Sequence, residues 1–456
     1  MDQGTFNQHS ASYRDPSGFI FTLNNEVYRQ VNLVYKQDFE LLMSSGLYHE
    51  LTQKDVLVKH EELRNNLTGQ KDWYTTLKPE KLAYISYPYE WCFDQLKDAA
   101  LLTLQIARTG IKHDMILKDA TPFNIQLHGS KLVLIDSLSF EAYDASRPWV
   151  AYRQFCETFL APLTLMHYHQ QPFQPLLYAY PDGIPLAVAS NLLPWQSKLN
   201  LHVYLHIHLQ SRYAARKPSA GKNVSFSRQK LLNLLSSLQT AVESLTLKHK
   251  GVWSDYYREA QERAGYLADK TQIVTKWINN LPGIFTAVDL GANDGTFSEI
   301  LSHKAITTIS VDGDHFAVTK LYKSLLGKNR FIFPLVMDLA NPSPSLGFNN
   351  NERNSFLERT KGDLVLALAF IHHLAIARNL PFAKLAPFFK ALGKALIIEF
   401  VPKEDEKVLF MLAQRKDVFP WYTETEFIRE FSKEFKIVAS QKIADSNRVL
   451  YLMLAI

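Results

Sequence analysis

The sequence predicts an α/β protein in two parts: a C-terminal open, mostly parallel sheet whose strands alternate with helices, preceded by an α+β domain. Three observations carry this. The run Ala287-Val-Asp-Leu-Gly-Ala-Asn-Asp-Gly-Thr-Phe-Ser298 reads as a buried strand, a tight glycine turn and a helix start. Further apolar runs follow it at 307–311, 331–337, 363–369 and 394–400, separated by helical stretches. The first half lacks this alternation and shows instead a hairpin pattern and long amphipathic helices.

The chain has 456 residues, too many for one ordinary core, so two domains are expected, at 1–250 and 251–456. Composition is that of a globular protein, 46% hydrophobic and 21% charged. The net charge of +5 is spread along the chain and makes no strong case for nucleic acid or an acidic membrane surface as partner. Two cysteines far apart, Cys92 and Cys156, argue against a disulfide framework and suit a reducing compartment. Residues 1–17 are polar, without an apolar signal core, and are expected to be mobile. The longest apolar-rich runs, such as 155–166, are too short to cross a bilayer, so a cytoplasmic location without membrane insertion is expected.

In chain order, 18–23 and 26–31 flank Asn24-Asn25 as a hairpin. A helix over about 36–44 ends at Gly46, and 55–59 is a short strand or helix start. Residues 81–87 read as a strand stopped by Pro88. From 91 to 108 apolar residues recur at helical spacing, with Gly110 as the cap.

Next come Asp119, Asn124 five residues on, and Asp136 at the end of an apolar strand twelve residues later. This spacing resembles the catalytic core of kinase-like folds, where one Asp orients an acceptor hydroxyl while Asn and a second Asp hold Mg²⁺ on phosphates. Asp119 would be the base, Asn124 and Asp136 the metal ligands. The departures are plain: Leu117-Lys118 precede Asp119, Ser137-Leu138 follow Asp136, no glycine-rich phosphate loop lies near 18–31, and Lys59 is the best of several poor candidates for a phosphate-pairing lysine. The same residues also suit structural jobs, Asp119 capping a turn and Asp136 ending a strand. A degenerate or substrate-binding domain is therefore the reading for 1–250, with active phosphotransfer as the alternative.

Residues from 146 onward are helical to about 247, with the stripe Leu231, Leu234, Leu235, Leu238, Val242 and Leu245 as core. His202 and His206 lie four apart with His208 nearby; no carboxylate accompanies them, so buried imidazoles are expected rather than a metal site. Residues 212–228 read as an exposed basic loop. Residues 253–278 read as a helical lead-in that offers Tyr256, Tyr257, Tyr266 and Trp277 for packing or a ligand site, broken at 280–283.

In the run that opens the C-terminal part, the glycines stand four apart with Asn293 and Asp294 between them, so the dinucleotide pattern is not met. The D-x-G-x-x-x-G spacing of Asp289, Gly291 and Gly295 resembles the first motif of class I S-adenosylmethionine-dependent methyltransferases, with their Rossmann-like sheet. Alone it also suits a plain strand–turn–helix corner. The downstream residues add the chemistry. Asp312, 23 residues after Asp289, can accept from both ribose hydroxyls, with Asp314 as runner-up. Asp338 would receive an adenine amine, with Met337 or Leu339 against the ring. Asn293 would join the donor site. His372 and His373, just past the fourth strand, are candidate bases or pocket-packing residues. Glu399 suits either substrate contact or structure. No Asn-Pro-Pro-Tyr motif is present, which favours O- over N-methylation.

Nearly the whole chain resembles the bacterial family of host-specific nodulation-type methyltransferases, through Leu117 to Asn124, Ile135 to Glu141, Pro148 to Phe155, Asp182-Gly-Ile-Pro-Leu186 and Glu399-Phe-Val-Pro-Lys403. The resemblance implies S-adenosylmethionine as cofactor and methyl transfer to a saccharide or other small-molecule acceptor; from the scattered charge, no nucleic-acid partner is expected.

Overall fold

A computed structural model describes residues 6–214, 226–248, 264–328, 330–413 and 416–456. By contacts the chain divides into two units: Met1–His249 with Ser345–Asn354, and Lys250–Pro344 with Ser355–Ile456.

In the first unit, strands β1 (Asn7–Gln8), β2 (Gly18–Leu23), β3 (Glu26–Asn32), β4 (His60–Leu63) and β5 (Trp73–Pro79) form an antiparallel sheet in the order β1-β2-β3-β5-β4. Asn24 and Asn25 both take positive φ, 52° and 65°, as a two-residue hairpin turn requires. Short ladders follow: β6 (Met115–Leu117) with β9 (Phe140–Ala142), and β7 (Ile125–His128) with β8 (Lys131–Leu134). The helix Phe93–Lys112 buries one face from Leu96 to Ile111, and the helix Arg228–Ser244 contributes Leu231, Leu235, Leu238 and Val242 to the same core.

Several expectations need correction here. Residues 81–87 form no strand: the Gln126 side-chain amide bonds both the Ser86 N–H and C=O, doing the work of a strand partner. The strand lies earlier, at β5. Gly110 does not cap its helix, which runs on to Lys112; a Cβ there would sit 3.2 Å from the Met115 carbonyl oxygen, so the glycine serves close packing. Residues 55–59 make only a bridge, Leu57 to Leu134. Residues 6–17 are tied down: His9 and Ser12 bond Ile20, and Arg14 pairs with Glu352 at 2.7 Å. Much of the 212–228 loop, the start of the 253–278 lead-in with Tyr256 and Tyr257, and the expected boundary at 250–251 lie outside the described residues.

The second unit carries seven strands: β10 (Thr286–Leu290), β11 (Thr307–Asp312), β12 (Ile332–Val336), β13 (Gly362–Ala367), β14 (Gly393–Phe400), β15 (Phe435–Lys442) and β16 (Val449–Ala455). They lie in the order β12-β11-β10-β13-β14-β16-β15. The first five pair in parallel and β16 runs antiparallel between β14 and β15. β10, β13 and β14 are almost wholly buried, as strands covered on both faces must be. The helix Ala264–Asn280 brings Ile273, Val274 and Trp277 to this core. The strand order reverses between β10 and β13, and the crevice outside the carboxyl ends of such strands is where open sheets hold ligands. No described helix is long and apolar enough to cross a membrane.

Candidate functional site

The turn after β10 sits at that reversal. Gly291 and Gly295 have φ of 73° and 87°, and Asn293 also takes a positive φ, 52°. A Cβ on Gly291 would lie 2.7 Å from Phe370, just past β13, so glycine is what lets the two exit turns meet. Gly291 and Ala292 both donate to the Val311 carbonyl, which ties the turn to the next strand.

The acidic residues have separate jobs. Asp289 is 3% exposed; its Oδ2 accepts from the Ser298 hydroxyl at 2.6 Å, and burial pushes its carboxyl up to about 6. Asp314 caps the helix His315–Leu325, accepting from the Phe316 and Ala317 amides. Asp312 is half-buried at the end of β11. One oxygen accepts from the Asn293 amide and the other from the Asp314 amide, each at 2.8 Å. The Gly313 amide also bonds this carboxylate, so Asp312 is fixed in place by three backbone amides, and its remaining acceptor capacity faces a ligand hydroxyl. With the glycine cradle, that suits the ribose end of S-adenosylmethionine. Asp338 is exposed and bound to Arg378 at 2.5 Å, with Met337 and Leu339 buried on either side.

Beyond β13 the chain makes a π-helical turn, His373–Ala377. The rings of His372 and His373 lie 4.2 Å apart. His372 is buried with Nδ1 lacking a hydrogen-bond partner, while His373 is half-buried. Burial, reinforced by nearby Arg448 and Lys407, lowers both imidazoles, His373 to about 4. Beneath them lies a cluster that the sequence does not announce. Glu399, fully buried at the end of β14, accepts from Lys270 (2.6 Å), Tyr266 (2.5 Å), Arg448 (3.2 Å) and the Ala369 amide (2.8 Å). Arg448 also pairs with Asp405 at 2.8 Å. Burial alone would raise the Glu399 carboxyl; Lys270 and Arg448 overcome it and hold it at about 2. The one sequence signal was Glu399, a carboxylate inside the apolar run 394–400; Lys270 and Arg448 stand among polar neighbours and give none.

In the first unit, Asp119, Asn124 and Asp136 come together. Asn124 donates to Asp119 at 3.0 Å and to Ser139 at 3.3 Å. Gln154 holds the other Asp119 oxygen at 2.7 Å. Asp136 accepts from Ser139, the Leu138 amide and Arg29 of β3, the last at 2.7 Å. Lys59 stands elsewhere, on the surface with Asp55. The cation facing the cluster is Arg29. Burial, then the charge of Asp136, raises the Asp119 carboxyl. Side-chain oxygens suit Mg²⁺, which takes few protein ligands and completes its shell with water and phosphate. They do not form an all-protein cage: among the described residues no three His, Cys, Asp or Glu side chains gather to hold a metal. His202 and His206 both bond Ser237, and His208 bonds Ser190 and Ser197.

Six strands running one way with one antiparallel insertion, and a glycine turn at the reversal point, define a class I S-adenosylmethionine-dependent methyltransferase. The chain belongs to the family of nodulation protein NoeA. It is 32% identical over 455 residues to NoeA of Rhizobium meliloti (strain 1021), spanning 97% of this chain and 95% of the relative. No protein-family model matches the sequence. Among solved structures, magnesium protoporphyrin IX methyltransferase of Synechocystis PCC 6803 covers 42% of this chain and 86% of its own at 19% identity and a TM-score of 0.30. The bifunctional kinase-methyltransferase WbdD covers 42% and 39% at 14% identity and 0.28. The class rests on the topology and the site, not on these two likenesses.

Proposed function

We propose that the second unit methylates a hydroxyl oxygen of a saccharide or other small, hydroxyl-rich acceptor. The donor supplies a methyl group on a positively charged sulfur that is already primed for attack. The chain's own residues hold and orient. Asp312 takes the ribose diol, and Gly291 admits the ligand close to the backbone. Asp289 braces the turn through Ser298. The observation that carries the oxygen reading is His373. It follows the exit of β13 on a turn fixed by the His373 N–H to Phe370 carbonyl bond, and its imidazole stays neutral near pH 7. A neutral ring nitrogen can take the hydroxyl proton as the methyl group is received. His372, packed beneath, fixes the ring. Asp338 and Leu339 would line the adenine end, with Arg378 exchanging its partner there.

The experiment is transfer of labelled methyl from S-adenosylmethionine to separate pools of oligosaccharide, small polyols, RNA and protein. Label in the carbohydrate or polyol pool as an alkali-stable ether is the expected result. Label confined to RNA or protein would overturn the acceptor class.

A second reading is favoured by the gathering of Asp119, Asn124 and Asp136: a phosphoryl-transfer site in the first unit that acts on the same kind of acceptor, with Asp119 taking the hydroxyl proton. It predicts Mg²⁺-dependent ATP turnover that Asp136→Asn abolishes. The absence of turnover alongside intact methyl transfer would leave the first unit as a binding domain.

A further inference from the structure

Arg29 is the one basic side chain bonded to the Asp119–Asn124–Asp136 cluster among the described residues. It is 9% exposed, and its Nε is buried with no hydrogen-bond partner. A buried donor without an acceptor is costly, which marks it as a place for a missing ligand atom. The guanidinium is a planar fork that suits two oxygens, yet here Nη1 alone reaches a carboxylate. Nearby His60 is also buried with Nε2 unpartnered; burial and then the Arg29 charge lower it to about 4, so it adds no second cation. Lys118, next to Asp119 in sequence, turns away to Ser17 and the Tyr35 ring.

The charges explain the arrangement. Asn124 bonds both Asp119 and Ser139, and Ser139 bonds Asp136, so the two carboxylates share one network while Arg29 pairs with only one of them. A divalent cation at Asp136 and the Asn124 oxygen would displace Arg29, whose fork would then face outward without a partner. A phosphate oxygen pair chelating the same cation would fill it.

We propose that Arg29 is an exchangeable counter-ion: it holds Asp136 when the site is empty and moves to the phosphate of a metal-chelated phosphate ligand when that ligand binds. The ligand class is a phosphate ester or anhydride carried with Mg²⁺, from either a nucleotide or a phosphorylated sugar. The inference deepens the second reading above but needs only binding, not turnover.

It makes a prediction that a purely structural arginine does not. In Arg29→Met, phosphate binding should weaken by about tenfold or more while metal binding without phosphate tightens, because Asp136 loses its competitor. The full chain is titrated with Mn²⁺ by electron paramagnetic resonance, and with Mg-ATP and, separately, glucose 6-phosphate plus Mg²⁺ by calorimetry. Opposite-signed changes support the proposal, and the arm that binds identifies the source of the phosphate. Unchanged phosphate affinity, weakening of both ligands together, or a wild type that binds neither phosphate would overturn it. Should Arg29→Met fail to fold, judged by its thermal melt, Arg29→Lys keeps the charge but loses the fork. It should lower phosphate affinity with little change in Mn²⁺ affinity, and the reverse result would overturn the proposal.

Discussion

Glu399 and Lys270 form a 2.6 Å ion pair with both side chains out of water, at 0% and 5% exposure. The pair anchors the end of β14 to the helix Ala264–Asn280, and through the Ala369 amide it holds the start of the turn that carries His372 and His373. Lys270→Met leaves a buried carboxylate with Arg448 as its remaining cation. Removing one partner of a buried pair costs about 3–5 kcal/mol. Denaturant unfolding should show a loss near the lower end, and Lys270→Met with Glu399→Gln should cost less than the sum of the two. Additive losses would mean that the two side chains are not coupled.

Asp312 and Asp314 stand two residues apart and separate cleanly by experiment. Asp312→Ala should weaken S-adenosylmethionine binding by about 1.5–3 kcal/mol, roughly tenfold to a hundredfold in Kd, with a small effect on stability. Asp314→Ala removes a helix cap and should cost about 1 kcal/mol of stability while donor affinity stays close to wild type. Calorimetry and thermal melts on the same two variants decide it. The reverse pattern would place the diol contact on Asp314.

Asp289 gives a signature in stability against pH. Its carboxyl is raised from 3.8 unfolded to about 6 folded, so the unfolded chain loses its proton first as pH rises. The contribution is fully present below about 4 and is lost as pH climbs through about 6. Relative to Asp289→Asn, the wild type should lose up to about 3 kcal/mol over that window. A constant difference between the two would show that Asp289 is ionised throughout. The histidines run the other way: with folded values depressed, their contribution is present above 6.5 and lost as pH falls towards 4.

If His373 is the base, His373→Ala should lower kcat by about 100-fold or more with donor Kd unchanged. The rate profile should show no inflection near 6.5 and fall only as pH approaches 4. His372→Ala opens a buried hole beneath the ring and should affect stability as well as rate. Equal, small effects from both variants would assign the pair to packing.

The strand–turn–helix at Asp289 to Ser298, the strands that follow it and the spacing of Asp119, Asn124 and Asp136 were legible because their signals are local. A glycine needed for positive φ, a wholly apolar run for a doubly covered strand and a fixed offset between polar residues are each written within a few positions. The misplaced strand at 81–87 shows where local signal stops: its backbone partner is the side chain of Gln126, forty residues away. Residues 6–17 read as a loose start because Glu352, which fixes Arg14, stands 338 residues away.

By itself the sequence determined the strand–helix alternation of the second half, the glycine turn and the two acidic residues from which a diol contact had to be chosen. The spacing put Asp312 ahead of Asp314, and tertiary structure supplied the physical difference between them, because Asp314 caps a helix N-terminus while Asp312 is held at the end of β11 by backbone amides. It also set Arg29, rather than Lys59, against Asp136, and buried Lys270 and Arg448 on Glu399. Such pairings join residues brought together only when sheets and helices pack, and a charge reveals its partner only once burial has removed the water that would otherwise screen it.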